Sequence, residues 1–414
     1  MRPNWETDVM VLGGGPAGLA AAVAASRQGL RVVLVDRNPF LGGTATAAEV
    51  GTICGLYAFS RQLPPVYIAG RFAIEFAERI QSKSETAPIY HPPGLHFLPY
   101  RVDVFKKLCA DLMEENGISV FLQAELYNLK LGDNAIESVA INQFGEPLQI
   151  RFGSIVDCSG YGLLSQLANL TLIQSDQYQA AAQVFTLTQV SENNEARLGL
   201  LLMKALRHSI GEGKLAEHFD RVYIVPGSLQ NGCVSIKVGI PIAVTHGAEN
   251  RAALERSALS MVQELTEFLI QEVSPFQQAK LAHMAPQVGI RVGQRMKGHY
   301  LLTEQDVLQG RKFPDGIARS AWPIEEWEQD RRVKMAYLTE GDHYQIPARS
   351  LQSVEISNLF AAGRCLSATD RAIASARVMG TCLQTGYAAG RLAAACARQQ
   401  GMDKAVSGIL EEQF

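Results

Sequence analysis

The chain has 414 residues, 47% hydrophobic and 19% charged, with a formal net charge of −3. This composition suits a globular protein of two or three domains with a large core, and it lacks the basic surplus of a nucleic-acid binder. No apolar run reaches the roughly 18 to 20 residues of a membrane span, and acids at Glu6 and Asp8 precede the first one, so the expectation is a soluble, cytoplasmic protein rather than an exported one.

The first element is the short apolar run Val9–Leu12, which reads as a buried parallel strand. Gly13, Gly15 and Gly18 follow it in G-x-G-x-x-G spacing, with Pro16 and Ala17 between the last two, and an alanine-rich helix runs over residues 19 to 28. Residues 31 to 35 make a second apolar strand, closed by Asp36 and Arg37. Each residue type has a physical task. Gly13 permits a tight turn, Gly15 lets the backbone approach a pyrophosphate, and Gly18 lets helix and strand pack closely, while the helix N-terminus faces the phosphates. Asp36 lies about 20 residues on, where a carboxylate can accept bonds from ribose hydroxyls. The unit predicts a dinucleotide site.

Just past Asp36, Gly42-Gly43-Thr44 forms a turn of small residues. A helix is expected over residues 70 to 81, punctuated on either side by Pro64-Pro65 and Pro92-Pro93. Another is expected over 100 to 116, with Val104, Leu108 and Leu112 on one face. A strand at 118 to 122, hairpin-like strands over 125 to 141 and a strand over 149 to 158 lead to Ser159-Gly160-Tyr161-Gly162. From about residue 175 the pattern changes. Strands are expected at 181 to 190 and within 221 to 244, helices at 196 to 210 and 248 to 271, and further strands at 281 to 302 and 343 to 349. The predicted fold is α/β: a Rossmann-like domain formed by residues 1–174 and 353–414, with a mixed α/β substrate domain, residues 175–352, inserted in it.

Within the insert, Arg291, Gly293, Arg295, Lys297 and His299 would share one face of a strand. Such a row suits an anionic substrate or developing negative charge, with Arg291 and His299 as the catalytic candidates, or else forms a solvated edge with surface ion pairs.

The Gly42-Gly43-Thr44 turn after the acid resembles FAD enzymes of the glutathione-reductase type, in which this loop returns beneath the flavin. The segment LFAAGRCLSATDRAIASARVMGTCLQTGYAAG, beginning at Leu359, closely resembles the broad family of FAD-dependent oxidoreductases, as does GIRVGQRMKGHYLLTEQDVLQGRKFP, residues 289 to 314. The resemblance covers both ends of the chain and the region from about 286 onward. It implies FAD as cofactor. It places Gly363 and Arg364 near the ribityl and phosphate region and Ser159 and Gly160 near the adenosine end. It aims the helix that follows Arg377, Val378 and Met379 N-terminus first at the flavin, where its dipole favours negative charge.

Disulfide reductases of the same superfamily carry a redox cysteine directly after Gly-Gly-Thr and a second five residues later. Ala45 and Val50 hold those places here, so dithiol chemistry by that route is excluded. The seven cysteines are scattered without CxxC spacing, which argues for reduced thiols and against a zinc or iron–sulfur centre. A second complete G-x-G-x-x-G is absent, so no dedicated nicotinamide domain is expected. Trp322-Pro323-Ile324 loosely resembles an element of flavin halogenases, whose full tryptophan motif is missing. The resemblance implies an FAD-dependent oxidoreductase that transfers a hydride between flavin and a small-molecule or protein substrate. A flavin monooxygenase is the alternative enzyme. A non-enzymatic FAD-fold binding protein is the alternative of a different class, and the intact glycines and Asp36 argue against it.

Overall fold

The computed structural model describes residues 4–328 and 333–414. At its centre is a parallel five-stranded sheet in the order Leu359–Ala361, Ser154–Asp157, Val9–Leu12, Val32–Val35, Ser119–Phe121. Along Val9–Leu12 the side chains alternate between two cores. Val9 and Val11 face the helices, and Met10 and Leu12 face a mixed sheet on the other side, antiparallel except where Asn4–Glu6 pairs in parallel with Glu146–Arg151. That second layer has the order Asn4–Glu6, Glu146–Arg151, Ile136–Gln143, Ala124–Leu131. The expected hairpin is therefore present.

The helical layer is built on helix Pro16–Ser26 and helix Met379–Ala397. They touch backbone to backbone. A Cβ on Gly386 would lie 2.1 Å from the Ala17 carbonyl oxygen, and one on Gly390 the same distance from that of Ala21. The alanines of the first helix serve this approach, because larger side chains would hold the two axes apart.

A second body has its own core. Its antiparallel sheet runs Val222–Ile224, Val234–Gly239, Ala182–Thr188, Lys280–Met284, and helices Glu195–Gly211 and Ala248–Glu272 cover it. Phe185, Leu202, Phe219, Ile236, Leu265 and Phe276 fill the space between. Val292, Leu302, Ile317, Tyr344 and Leu351, placed by the sequence in the insert, pack into the core of the parallel sheet instead. By packing, the separate body is confined to the stretch from 182 to 284.

Three sequence expectations are corrected. Residues 149 to 158 are not one strand: Glu146–Arg151 and Ser154–Asp157 belong to different sheets. The chain changes layer at Gly153, where a Cβ would stand 3.2 Å from the Asp8 carbonyl oxygen and 3.1 Å from the Cβ of Ala397. Residues 225 to 233 connect two strands rather than extending one. Of residues 285 to 302, only Arg295–Met296 is a strand, paired with Leu172–Ile173. Gly298 explains part of this. Its Cα lies among the carbonyls of Arg349 and Gln352 and the Ser367 side chain, with 3.0–3.1 Å left for any Cβ, so the chain is threaded between backbones rather than laid in a sheet. No helix among the described residues is long and apolar enough to cross a membrane.

Candidate functional site

An open cleft of about 250 Å³ lies over the carboxyl ends of the parallel strands. This is where an open α/β sheet leaves a crevice for a ligand. Its floor is the glycine turn. Gly13 has φ +99° and Gly18 presses on it, so that a Cβ at Gly18 would stand 1.7 Å from the Gly13 carbonyl oxygen. Gly18 is thus a packing residue behind the cleft. Gly15 is different. Its backbone, φ −76°, is ordinary, and a Cβ there would meet nothing nearer than the Cα of Gly43 at 3.7 Å. Within the protein, space does not require glycine at 15.

Gly13, Gly15, Pro16 and Ala17 line the cleft together with Asp36 and Arg37. Asp36 is 5% exposed, and burial pushes its carboxyl above the ordinary value despite the backbone N–H groups it accepts. Those come from Gly14 to Oδ2 at 2.5 Å and from Asn38 to Oδ1 at 2.7 Å. Arg37 donates to the Tyr161 hydroxyl at 3.0 Å and lies over its ring. Gly43 and Thr44 also line the cleft, Gly43 directly beside Gly15, while the Gly42 N–H is donated to the Gly14 carbonyl at 2.8 Å.

Ser159 and Gly160 follow the strand Ser154–Asp157 into the cleft. The Asp157 carboxylate holds this turn by accepting from the Ser159 hydroxyl at 2.6 Å and from the Leu164 N–H at 2.9 Å. Gly363 and Arg364 line the cleft as well, Gly363 against Ala17. The Arg364 guanidinium donates to the Ile290 carbonyl, and a Cβ on Gly160 would collide with it. Arg377 and Met379 reach the cleft at the start of helix Met379–Ala397. Val378 between them turns instead into a small apolar cluster with Phe59, Leu95 and Trp322. Cleft residues that were not among the expected site residues include Asn38, Glu125, Leu126, Cys158, Gln287 and Cys382.

The structure separates the two catalytic candidates. Arg291 is drawn inward, its guanidinium donating to the Ala180 carbonyl and its Cζ 4.1 Å from the centroid of the Trp327 ring. His299 is exposed, its backbone N–H bonded to the Gln352 carbonyl at 3.3 Å, and it does not line the cleft. The shared strand face does not exist, because this stretch is irregular outside Arg295–Met296. Arg295 is fully buried and structural: it donates to the carbonyls of Ala368 and Gly293 and pairs with Asp370.

Arg291 belongs to a group that no sequence spacing reveals. Lys237, Glu325 and Arg377 lie within its electrostatic reach. Burial, reinforced by Arg291, lowers Lys237 to about 8, and burial with Arg377 lowers Arg291 to about 9. Burial would raise Glu325, but Arg377, the Trp322 indole, Lys237 and Arg291 together hold it below its ordinary value. Arg377 donates to Gln179 at 3.1 Å, yet its Nε is buried with no hydrogen-bond partner among the described residues. Cys54 stands beside this group, and burial raises its thiol to about 12, which makes it inert. Among the described residues no cluster of histidine, cysteine and carboxylate side chains could hold a metal.

Relatives share parts of this architecture. A 53-residue stretch is 56% identical to sarcosine oxidase subunit alpha from Corynebacterium sp. (strain U-96), 13% of this chain and 6% of that one. Over 202 residues the chain is 25% identical to digeranylgeranylglycerophospholipid reductase 2 from Methanosphaera stadtmanae, covering 47% of this chain and 50% of that protein. The chain thus spans half the length, or far less, of these curated relatives. In fold it is similar to a geranylgeranyl bacteriochlorophyll reductase-like protein from Thermoplasma acidophilum, with a TM-score of 0.50 and 13% identity over 99% of this chain and 85% of that one. Residues 8–409 match the model of the FAD dependent oxidoreductases. The chain belongs to that family, the FAD dependent oxidoreductases.

Proposed function

We propose that the cleft holds the FAD and that a small molecule exchanges a hydride with it on the side of Arg377, Lys237 and Arg291. The observation that carries this is the orphaned Nε of Arg377, buried at the cleft wall without a partner among the described residues. An unsatisfied buried donor costs about 1–3 kcal/mol, and a bound acceptor would satisfy it. The bare backbone at Gly15 supports the same reading, since the protein itself leaves room for a side chain there.

FAD, when bound, supplies the two-electron acceptor or donor that no side chain here offers. The remaining work falls to the chain. Gly13, Gly15 and Ala17, at the positive end of helix Pro16–Ser26, receive the diphosphate, and Arg37 and Arg364 add cationic charge. Asp36, oriented by two backbone N–H groups, accepts from ribose hydroxyls with its remaining lone pairs. Ser159 and Gly160 form the wall beside Arg364. Gly43, Thr44, Gly363 and Met379 let backbone and small side chains approach the flavin end. Arg377 positions negative charge there, and Arg291 lies on the substrate side.

Absorbance of the purified protein tests this. A yellow protein that releases FAD on acid precipitation, is reduced anaerobically and is reoxidised in air fits the reading. Rapid reoxidation marks an oxidase or monooxygenase, and slow reoxidation marks a dehydrogenase or reductase. A colourless protein that FAD does not reconstitute overturns it.

A further inference from the structure

The charges beyond Arg377 are arranged in an unusual way. Three cations, Lys237, Arg291 and Arg377, surround one carboxylate, Glu325. A lone carboxylate among three cations would ordinarily be taken up in an ion pair. Instead both of its oxygens are bound by indoles: Trp322 Nε1 donates to Oε2 at 3.0 Å, and Trp327 Nε1 donates to Oε1 at 2.7 Å. Arg377 reaches only the main-chain carbonyl of Glu325, at 3.5 Å. The Lys237 ammonium makes no hydrogen bond or ion pair among the described residues. Its Nζ rests 4.6 Å from the centroid of the Trp327 ring and 5.5 Å from that of Tyr223. Arg291 uses the same indole, so two cations share one aromatic side chain.

Cation–π contact and distant Coulomb attraction offset only part of the cost of taking such charges out of water. The lowered proton affinities of Lys237 and Arg291 express the remainder. Beside these charges lies an apolar cluster of Phe59, Leu95, Trp322 and Val378, with Phe59 stacked on Tyr337 at 5.2 Å. Trp322 belongs to both parts, donating to Glu325 with its nitrogen and packing into the cluster with its rings. Val378 ties the cluster to Arg377 and Met379 at the cleft.

We propose that this charged group binds a small amphipathic carboxylate, with Lys237 and Arg291 as its counter-charges and the Phe59–Trp322–Val378 cluster against its apolar body. The inference rests on the oxidoreductase reading above and narrows its substrate class. Glu325 is a positioning residue: held by two indole N–H groups, it fixes both rings and moderates the cationic field without neutralising either cation.

The test uses the purified holoprotein and three probes: benzoate, its neutral isostere benzamide, and inorganic phosphate. Binding is read from the fluorescence of Trp322 and Trp327, with Trp5→Phe as background to remove the remaining tryptophan signal. Benzoate should bind at least tenfold more tightly than benzamide or phosphate. Lys237→Met should weaken benzoate roughly tenfold or more, and Lys237→Arg should restore much of the loss. Arg291→Met should act in the same direction. Thermal melting of each variant separates lost binding from lost folding. Benzamide binding as tightly as benzoate overturns the proposal, as does Lys237→Met binding benzoate like the parent. Phosphate binding as tightly as benzoate also overturns it, because the group would then be a simple anion site. FAD content is measured on the same samples. A flavin-loaded protein indifferent to benzoate overturns this inference alone, whereas a protein that cannot take up FAD overturns the functional reading, whatever the benzoate titration shows.

Discussion

Gly15 and Gly18 are both glycines of one motif, and the structure predicts opposite consequences for replacing them. At Gly18 an alanine Cβ would lie 1.7 Å from the Gly13 carbonyl oxygen and 2.9 Å from its carbon. Those are backbone atoms, fixed in turn by the Gly13 N–H bond to Val35 at 2.8 Å. Overpacking of this kind costs about 1–3 kcal/mol or more, so Gly18→Ala should lower the melting temperature with or without flavin. At Gly15 the backbone is already in a region that alanine adopts freely, and the nearest atom to the new Cβ is 3.7 Å away. Flavin-free Gly15→Ala should therefore melt like the parent or slightly higher, since replacing glycine restricts the unfolded chain, worth about 0.4–1 kcal/mol. The cost should emerge only on binding. A methyl group wedged between backbone and diphosphate, at about 1–3 kcal/mol, weakens FAD by roughly five- to hundredfold. Differential scanning fluorimetry of the stripped proteins and titration of FAD by flavin fluorescence separate the two effects. If Gly15→Ala bound FAD as the parent does, or if its stripped form were destabilised like Gly18→Ala, the assignment of these glycines would be wrong.

Other outcomes follow from single side chains. Asp36→Ala should weaken FAD by roughly tenfold or more through the lost charge-assisted bonds. It should also lower thermal stability, because the Gly14 and Asn38 N–H groups lose their acceptor; unchanged affinity would mean that Asp36 does not hold the ribose. Lys237→Met should stabilise the protein in the absence of a bound anion. The lysine's folded value of about 8 lies below its ordinary 10.5, so its penalty is full below pH 8 and fades as pH rises from 8 to 10.5. The stabilisation should follow that course in melts across pH, and a gain that grew with pH would refute it. Cys54→Ser should leave flavin reduction rates within twofold, since a thiol raised to about 12 is no nucleophile at neutral pH; a large fall in rate would assign Cys54 a chemical role.

The glycine turn, the strands on either side of it and the acid at 36 were legible in the sequence because local spacing dictates them. A four-residue apolar strand, a turn that needs positive φ at Gly13 and a helix start at Pro16 are all written within 18 residues. The second body was legible for the same reason, as helices Glu195–Gly211 and Ala248–Glu272 carry their apolar stripes locally. The row from Arg291 to His299 misled, because alternation of charge with glycine mimics a strand, while what decides the backbone is the space left by Arg349, Gln352 and Ser367. The group formed by Lys237, Arg291, Glu325, Trp327 and Arg377 had no local signal. Its members come from distant segments and meet only through tertiary packing. Trp322 drew attention as a motif fragment, and the neighbouring Glu325 it clamps did not.

The backbone contact between helices Pro16–Ser26 and Met379–Ala397 has a bearing on how the protein comes into being. The cofactor cleft draws its walls from residues near 13–44 and again near 363–379, so both must exist before it can close. During synthesis the body between 182 and 284, whose own core is closed within that stretch, can form that core first. The first helix, meanwhile, waits with its alanine face uncovered until Gly386 and Gly390 leave the ribosome. Flavin capture is then among the last events in maturation. A chain stalled before residue 379 would present an alanine-lined surface to chaperones and proteases rather than a yellow, finished domain.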